Sequence, residues 1–262
     1  MNKNVKCRIL FAMLFALPVF LLAQVPKPVE TDTVWVSGVP MVFIKVEGGT
    51  FSMGATSEQS VAADSDEKPV HKVTLTDFYI AQTEVTQELW QKIMDNNPST
   101  IKGNNRPVHN VSWYDCMDFI EALNAISGKK FRMPTEAEWE YAARGGNRSK
   151  GFKFAGGNNA EKFAWNAESS GTELYFVKTK QPNELGLYDM GGNAYEWCGD
   201  LYGAYSDKAQ NNPQGMDIGE SRVLRGGSWQ TPRNDCRVSN RHSCIPYDRR
   251  EDYGLRLAVD SL

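Results

Sequence analysis

One glycine-rich stretch, residues 186–198, combines the residue types that bind hard metal ions. Asp189, Asn193 and Glu196 fall within eight residues of one another, with glycines between them. Glycine permits backbone conformations with positive φ, so main-chain carbonyls can approach a ligand closely. Carboxylates and carbonyls are the oxygen ligands that calcium prefers, although the spacing is not that of an EF-hand. The stretch predicts either a calcium-binding loop or an ordinary glycine-rich turn ending on Trp197.

Cysteine is the second residue type here that could carry chemistry. Cys116, Cys198, Cys236 and Cys244 follow the N-terminal segment, which contains Cys7. Four cysteines allow three complete disulfide pairings, and the sequence alone does not distinguish them. No Cys-x-x-Cys or His-x-x-x-His spacing of a zinc site occurs. Disulfides, a thiol pair and buried inert cysteines all remain open.

The strands expected to position these residues are short and irregularly ordered. Apolar or alternating runs predict strands at residues 41–46, 50–54, 70–80, 222–229 and 253–258. Strands and helices do not alternate regularly, which disfavours a doubly wound sheet. The pattern predicts an α+β fold with short strands and helices and much irregular structure.

Three helices are predicted from their N-terminal capping residues. A threonine within residues 83–86, Ser112 and Thr135 are N-cap candidates, and the last two are followed three positions later by an acidic residue. Apolar residues at helical spacing place Cys116 on the core face of the second helix. Gly128 is the expected stop of that helix. Cys116 is therefore expected to be a buried thiol.

Residues 1–23 have the organisation of a secretory signal peptide. Three basic residues precede an apolar run of 14 residues at 9–22, and Ala23 is a small residue before the expected cut at Gln24. The alternative is an uncleaved anchor, but a spanning helix needs about 20 apolar residues. We expect an exported protein that is periplasmic, in the cell envelope or secreted. We expect no membrane span after the signal is removed.

The composition is that of a folded and acidic protein. Hydrophobic residues make up 41% of the 262 residues and charged residues 23%, which is enough for a sizeable core. Removal of the signal peptide leaves 26 basic and 32 acidic side chains. Such a charge gives no electrostatic basis for binding nucleic acid. Residues 24–38, which begin with Pro26 and Pro28 among polar residues, are predicted to be a lead-in linker.

Seven motifs follow one another along the chain, at Gly48–Gly54, Glu84–Thr86, Pro107–Trp113, Arg132–Gly145, Gly186–Trp197, Arg225–Trp229 and Gly254–Arg256. Together they resemble the formylglycine-generating enzyme, or sulfatase-modifying factor, family over residues 39–260. The resemblance implies a single α+β domain over these residues, related to the C-type-lectin-like folds. It also implies a structural calcium ion and a cleft that receives a peptide.

The implied calcium ligands lie in the glycine-rich stretch. By the resemblance, Asp189 and Glu196 supply side-chain oxygens, and Gly192 and Ala194 supply carbonyl oxygens. This assignment favours the calcium-binding interpretation of the stretch over an ordinary turn.

The oxidase site departs from the family pattern. The family's enzymes use oxygen and a copper ion held by two cysteines to convert a sulfatase cysteine to formylglycine. The two matching positions are Arg233 and Val238, and neither supplies the thiolate that Cu(I) prefers. A rearranged copper site would need Cys236 and Cys244 to converge. Alternatively, Cys198 and Cys236 are expected to lie near each other, as thiols or as a disulfide.

Without the oxidase site, the peptide-receiving cleft would remain as a recognition surface. Its expected residues are Trp229, Arg237, Asn240, Arg241 and His242, with Tyr247 as a further candidate. The two arginines are either fork donors for a ligand carboxylate or structural residues that hold loops. We therefore expect an exported, calcium-stabilised module that binds a protein or peptide. The alternatives are a formylglycine-generating oxidase with rearranged cysteines and a structural subunit of a cell-envelope assembly.

Overall fold

The computed structural model describes residues 28–59 and 63–262, so the predicted signal peptide lies outside the described residues. Their strands are β1 (Thr31–Val36), β2 (Val39–Val46), β3 (Gly49–Met53), β4 (His71–Leu75), β5 (Phe78–Ala81), β6 (Tyr195–Leu201), β7 (Gln210–Asn211), β8 (Arg222–Arg225), β9 (Arg241–Cys244), β10 (Tyr253–Leu255) and β11 (Ala258–Val259). Their α-helices are α1 (Gln87–Met94), α2 (Trp113–Ser127), α3 (Glu136–Ala143) and α4 (Ala160–Phe163). Short 3-10 helices lie at Ser65–Glu67, Gly146–Arg148 and Arg233–Cys236. The predicted α+β class, with much irregular chain between short elements, is confirmed. No helix within the described ranges is long and apolar enough to cross a membrane.

The first sheet, ordered β1-β2-β5-β11, contains a strand that the sequence did not predict. Residues 24–38 are expected to be a linker, yet β1 pairs antiparallel with β2 along its whole length. Between them, Ser37 and Gly38 both have positive φ, as in the two-residue turns that suit twisted hairpins. The linker prediction is wrong from Thr31 onward, because that turn folds a β-branched run back onto a strong strand.

All three predicted helices form with the predicted caps. Thr86, Ser112 and Thr135 each accept a hydrogen bond from a backbone N–H in the first turn of their helix. Such bonds satisfy donors that have no partner within the helix. Gly128 ends α2 in the left-handed conformation, at φ 68°. Cys116 is fully buried on the core face, as predicted.

The second sheet, ordered β10-β6-β8-β9, fixes the end of the glycine-rich stretch. β6 runs parallel to β10 and antiparallel to β8. At the start of β6, Glu196 lies opposite Arg225 on one side and Gly254 on the other. The single strand predicted at residues 253–258 is in fact two strands, because β10 joins this sheet and β11 joins the first. A third sheet has the order β3-β4-β7.

Helix α3 is buried along its whole length, including all three of its glutamates. It packs against β3, β6 and β8. Two of the buried glutamates, Glu136 and Glu140, have side chains almost without solvent contact. Burying a carboxylate is strongly unfavourable unless it is paired and hydrogen-bonded. The position of α3 therefore demands cationic partners from neighbouring elements.

Candidate functional site

The glycine-rich stretch is wound tightly against neighbouring segments. Asp189, Gly192 and Asn193 all have positive φ, at 57°, 77° and 61°. A Cβ at Gly192 would lie 2.0 Å from the carbonyl oxygen of Trp165, so only glycine fits there. The Gly192 N–H donates to the Gly226 carbonyl at 2.7 Å, and the Asn193 N–H donates to that of Trp165 at 2.8 Å. The stretch is a turn held by hydrogen bonds to the backbones of the segments around Trp165 and Gly226.

Glu196 does not have the surroundings of a calcium ligand. Arg256 donates from Nη2 to Oε1 at 2.6 Å and from Nε to Oε2 at 2.9 Å. Trp139 Nε1 donates to Oε2 at 2.7 Å. Both carboxylate oxygens are engaged, and a guanidinium in contact with them would repel a divalent cation. The predicted ligand set, which requires Glu196, therefore does not fit a calcium ion.

Asp189 instead faces a second buried carboxyl group, Glu84. Asp189 Oδ2 accepts a hydrogen bond from the Lys178 N–H at 2.8 Å, while its Oδ1 is buried with no partner. Glu84 Oε1 accepts from Asn193 Nδ2 at 3.0 Å, and its Oε2 is likewise buried with no partner. Both residues are only 2% exposed. Two buried oxygens without a hydrogen-bond donor mark this place as chemically incomplete.

Glu84, Asp189 and Glu196 share one buried guanidinium, that of Arg256, and we call these four residues the carboxyl cluster. Burial raises the pKa of Glu84 well above its usual value, and the charge of Asp189 raises it further. Burial also raises the pKa of Asp189, to about 6, against the lowering effects of the Lys178 N–H and Arg256. Carboxyl groups outnumber guanidinium groups here. The cluster therefore favours a bound proton or another positively charged group.

The two arginines predicted to bind a ligand carboxylate bind carboxylates of this chain. Arg237 Nη1 and Nη2 donate to the two oxygens of Glu67 at 2.7 and 2.5 Å. Arg241 Nε and Nη2 donate to those of Glu136 at 2.7 and 2.8 Å. A third arginine, Arg225 at the end of β8, donates to Glu140 of α3. We call these pairs the arginine clamps: Arg225–Glu140, Arg237–Glu67 and Arg241–Glu136.

Of the two roles predicted for Arg237 and Arg241, the clamps support the structural one, in which the arginines hold loops. Burial acts to raise the pKa of Glu67, but hydrogen bonds from Arg237 and Ser239 outweigh it, so the pKa is lowered. Glu136 behaves in the same way, with Arg241 as the main opposing charge. These carboxylates stay ionised and matched to their partners. The guanidinium forks are used inside the fold, so the ligand-binding role predicted for them lacks support from their contacts.

The other three predicted cleft residues are also largely enclosed. Trp229 is 8% exposed and packs against Ala194, the residue predicted to offer its carbonyl to calcium. The indole Nε1 of Trp229 is buried without a partner. Asn240 is buried as well. His242 Nε2 lies 2.8 Å from the Tyr253 hydroxyl, and burial lowers the pKa of the imidazole, which favours its neutral form.

The cysteines of the described chain do not form a thiol pair. Cys116, Cys198, Cys236 and Cys244 are all buried and free. Cys198 and Cys236 pack in different apolar clusters, and Cys244 belongs to a third. The structure therefore contradicts a bridge between Cys198 and Cys236, and it does not bring Cys236 to Cys244.

The chemical state of these thiols also argues against metal binding. Burial raises the pKa of every one of them. Cys244 additionally donates from Sγ to Asp248 Oδ2 at 3.1 Å. The thiolate, not the thiol, is the nucleophile and the metal ligand. At the two positions matching the family's cysteines, Val238 is fully buried and Arg233 is exposed beside Glu168.

Sequence reasoning missed the members of this site that act through distant partners. Glu84 and Arg256 belong to the motifs at residues 84–86 and 254–256, and Glu67 lies between two predicted strands, where the sequence analysis predicts no helix or strand. One signal was available in α3, where acidic residues alternate with Trp139 and alanines. Acidic and apolar residues therefore share the faces of this helix, which lacks the separate polar face of a surface helix.

The chain is similar to known proteins over most of its length. The family profile described as "Sulfatase-modifying factor enzyme 1-like domain" matches residues 36–261. The chain is 31% identical to chaperone protein LppX of Paenibacillus barcinonensis, over 82% of this chain and 88% of that protein. It is 29% identical to the formylglycine-generating enzyme of Streptomyces coelicolor, over 83% and 88%. The solved structure of Treponema denticola variable protein 1 matches with a TM-score of 0.81 at 32% identity, covering 88% of this chain and 99% of that one.

Proposed function

This chain belongs to the sulfatase-modifying factor enzyme 1-like family, and from that membership we propose that it is an exported protein- or peptide-binding module without oxidase activity. One observation carries the proposal. Where the family's enzymes have two copper-binding cysteines, this chain has Arg233 at the surface and Val238 in the core. A cation and a branched apolar side chain cannot hold Cu(I).

The remaining thiols offer no replacement for that pair. Cys236 and Cys244 are buried in separate clusters, and burial raises the pKa of both. Copper oxidation of a substrate thiol also needs near-attack geometry, in which errors of about 1 Å can cost roughly 100-fold. This argues against the rearranged oxidase. A relative of similar length is named a chaperone protein, which is consistent with a role in binding another protein.

The surface available to a partner lies around Tyr247, the last candidate of the predicted cleft, and not at its arginines. Arg237 and Arg241 are bound internally, whereas exposed apolar residues lie just after β9. Tyr247 is 71% exposed, and its ring centroid lies 4.7 Å from that of Tyr114, with Ile245 nearby in the chain. Aromatic residues are enriched at protein interfaces. We place the partner contact on these residues. Because Arg256 is hydrogen-bonded to Glu196, we propose no calcium ion on the predicted ligands.

A turnover and binding assay tests the proposal. Purified, reduced protein is given a sulfatase-motif cysteine peptide with copper and oxygen, and formylglycine is measured by mass spectrometry. The Streptomyces coelicolor enzyme serves as the positive control. We expect no formylglycine above background. Turnover that disappears in Cys236→Ser or Cys244→Ser would establish the rearranged oxidase instead.

A further inference from the structure

A groove of about 620 Å³ runs along α2, beside the exposed rings of Tyr114 and Tyr247. Its floor is apolar and buried, formed by Trp113, Ile120, Phe131 and Met133. Met117 also lines the groove and is 40% exposed. The ring centroid of Trp113 lies 5.4 Å from that of Tyr114, so the groove adjoins the residues on which we place the partner contact. It offers an open apolar site next to that contact.

Arg222 brings an accessible cation to one end of the groove. Its guanidinium carbon lies 3.9 Å from the ring centroid of Trp113, and its Nη1 donates to the Gly199 carbonyl at 2.6 Å. Its Nε and Nη2 form no hydrogen bond or ion pair with the described residues. They are not among the buried polar atoms that lack a partner, so they face solvent. These two atoms form a fork that a ligand carboxylate can accept.

The other charged groups beside Arg222 do not neutralise it. Asp200 also lines the groove, but it is only 3% exposed, and its Oδ2 accepts from the Glu136 N–H at 2.9 Å. Burial and the charge of Glu136 raise the pKa of Asp200 to about 8, so this carboxyl group is largely protonated at pH 7. The second guanidinium of the groove, that of Arg132, is already held by two carboxylates of the chain. Arg222 therefore keeps its charge for a ligand.

An unpaired carboxylate, that of Glu121, lies farther along α2. Glu121 is exposed, lines the groove and forms no ion pair within the described part of the chain. At 1.5 Å of rise per residue, its position on the helix is about 12 Å beyond that of Trp113, the ring that Arg222 covers. The groove therefore has a positive group at one end, a negative group at the other and an apolar floor between them.

We propose that this groove binds an extended segment of the protein or peptide partner, with an acidic, a large apolar and a basic side chain at alternate positions. The acidic side chain binds Arg222, the apolar one packs on the floor beside Met117, and the basic one lies at Glu121. The identity of this segment rests on the proposed function. In an extended chain, residues i, i+2 and i+4 face one side, and the first and last are about 13 Å apart. That spacing matches the separation of the two charges.

The mixed charge of the groove distinguishes this segment from a polyanion. A nucleic acid or an anionic membrane binds through a cluster of cations and would place negative charge against Glu121. A wholly acidic peptide would meet the same repulsion. A segment of mixed charge instead places an opposite charge at each end of the groove.

Calorimetric titration of the purified protein with capped pentapeptides tests the proposal. The probe is the peptide aspartate-alanine-leucine-alanine-lysine, acetylated and amidated at its ends. Replacing its aspartate by asparagine should weaken binding about tenfold, because a charged hydrogen-bonded pair is lost. Replacing its leucine by alanine should also weaken binding about tenfold, because less apolar surface is buried. Replacing its lysine by norleucine should weaken binding about twofold to fivefold, since Glu121 is exposed.

Variants of the chain assign these contacts. Arg222→Gln should weaken binding of the aspartate peptide about tenfold and change that of the asparagine peptide less than about twofold. Glu121→Gln should weaken binding of the lysine peptide about twofold to fivefold and leave the norleucine peptide unaffected. Arg250→Gln and Asp118→Asn are the matched controls and should change binding less than about twofold. Arg250 also covers a tyrosine ring and Asp118 is also exposed on α2, but neither lines the groove.

Equal affinity for the aspartate and asparagine peptides, or no binding at millimolar peptide, would overturn the proposal. So would equal effects of Arg222→Gln and Arg250→Gln, or a loss in Arg222→Gln that persists with the asparagine peptide. If Arg222→Gln does not fold, Glu121→Gln decides, since equal losses for the lysine and norleucine peptides contradict the proposal. The probe contains no cysteine. Formylglycine turnover would thus refute the proposed function alone, and absent pentapeptide binding would refute this proposal alone.

Discussion

The arginine clamps and the carboxyl cluster are two buried charged regions that differ in their balance of carboxyl and guanidinium groups. In the clamps each carboxylate has its own guanidinium, and the clamped Glu67 and Glu136 have lowered pKa values despite burial. In the carboxyl cluster three carboxyl groups share one guanidinium, and the pKa values of Glu84 and Asp189 are raised. The pKa values of the same residue types are therefore shifted in opposite directions.

The difference indicates which buried charges have a matched partner and which do not. In a matched pair both carboxylate oxygens accept hydrogen bonds and the two charges are in contact. A surplus carboxyl group has an unused oxygen and a perturbed pKa, which is the usual mark of a functional site. By this criterion Arg237 and Arg241 hold loops, whereas Glu84 and Asp189 are buried carboxyl groups that each keep one unpaired oxygen.

Breaking a clamp is expected to have the largest effect. Arg237→Ala leaves Glu67 buried without its partner and should lower the free energy of unfolding by about 3–5 kcal/mol. Urea denaturation at pH 7 measures this. Arg249→Ala is the matched control, because the Arg249–Asp115 pair is largely exposed and should contribute less than about 1 kcal/mol. Equal losses in the two variants would show that Arg237 is not a clamp.

Removing one carboxylate from the carboxyl cluster should change the free energy of unfolding less than breaking a clamp does. It should stabilise the protein. The pKa of Asp189 is raised to about 6 in the folded state, from about 4 in the unfolded chain. Between these values the folded state binds more protons, so wild-type stability falls as pH rises through the window. Asp189→Asn removes this loss. At pH 7 the variant should be more stable than wild type by about 1–3 kcal/mol.

The pH dependence separates this mechanism from a general packing effect. Below about pH 4 both states of wild type are protonated at this position, and the advantage of Asp189→Asn should disappear. Asp118→Asn, a substitution at an exposed position of α2, serves as the control and should show a difference that stays flat with pH. An Asp189→Asn difference that is equally flat would contradict a raised pKa at Asp189.

Calcium removal should have the smallest effect. Because Glu196 is held by Arg256 and Trp139, we expect EDTA or millimolar calcium to shift the melting temperature by less than about 1 °C. A ligand that binds only the folded state must raise that temperature by mass action. A calcium-dependent rise that disappears in Asp189→Asn would restore calcium to the carboxyl cluster. Differential scanning fluorimetry is sufficient for this comparison.

The sequence by itself determined the features that depend on neighbours within a few residues. The N-caps at Ser112 and Thr135, the stop at Gly128 and the core-facing Cys116 all follow from local hydrogen bonding and helical period. The ordered motifs indicate the family, and the two positions that match its cysteines are occupied by Arg233 and Val238. These inferences needed no knowledge of what lies across the fold.

Only the tertiary structure decided which charges meet. Arg237 and Glu67 are 170 residues apart in sequence, and Arg256 and Glu196 are 60 apart. Loop closure brings such pairs together through the whole topology, so no local pattern reports them. Glu196 looked like a metal ligand by its spacing and is an arginine partner by its surroundings. Whether a buried carboxyl group is neutral, paired or open to a ligand depends on every charge around it, and those charges come from distant parts of the chain.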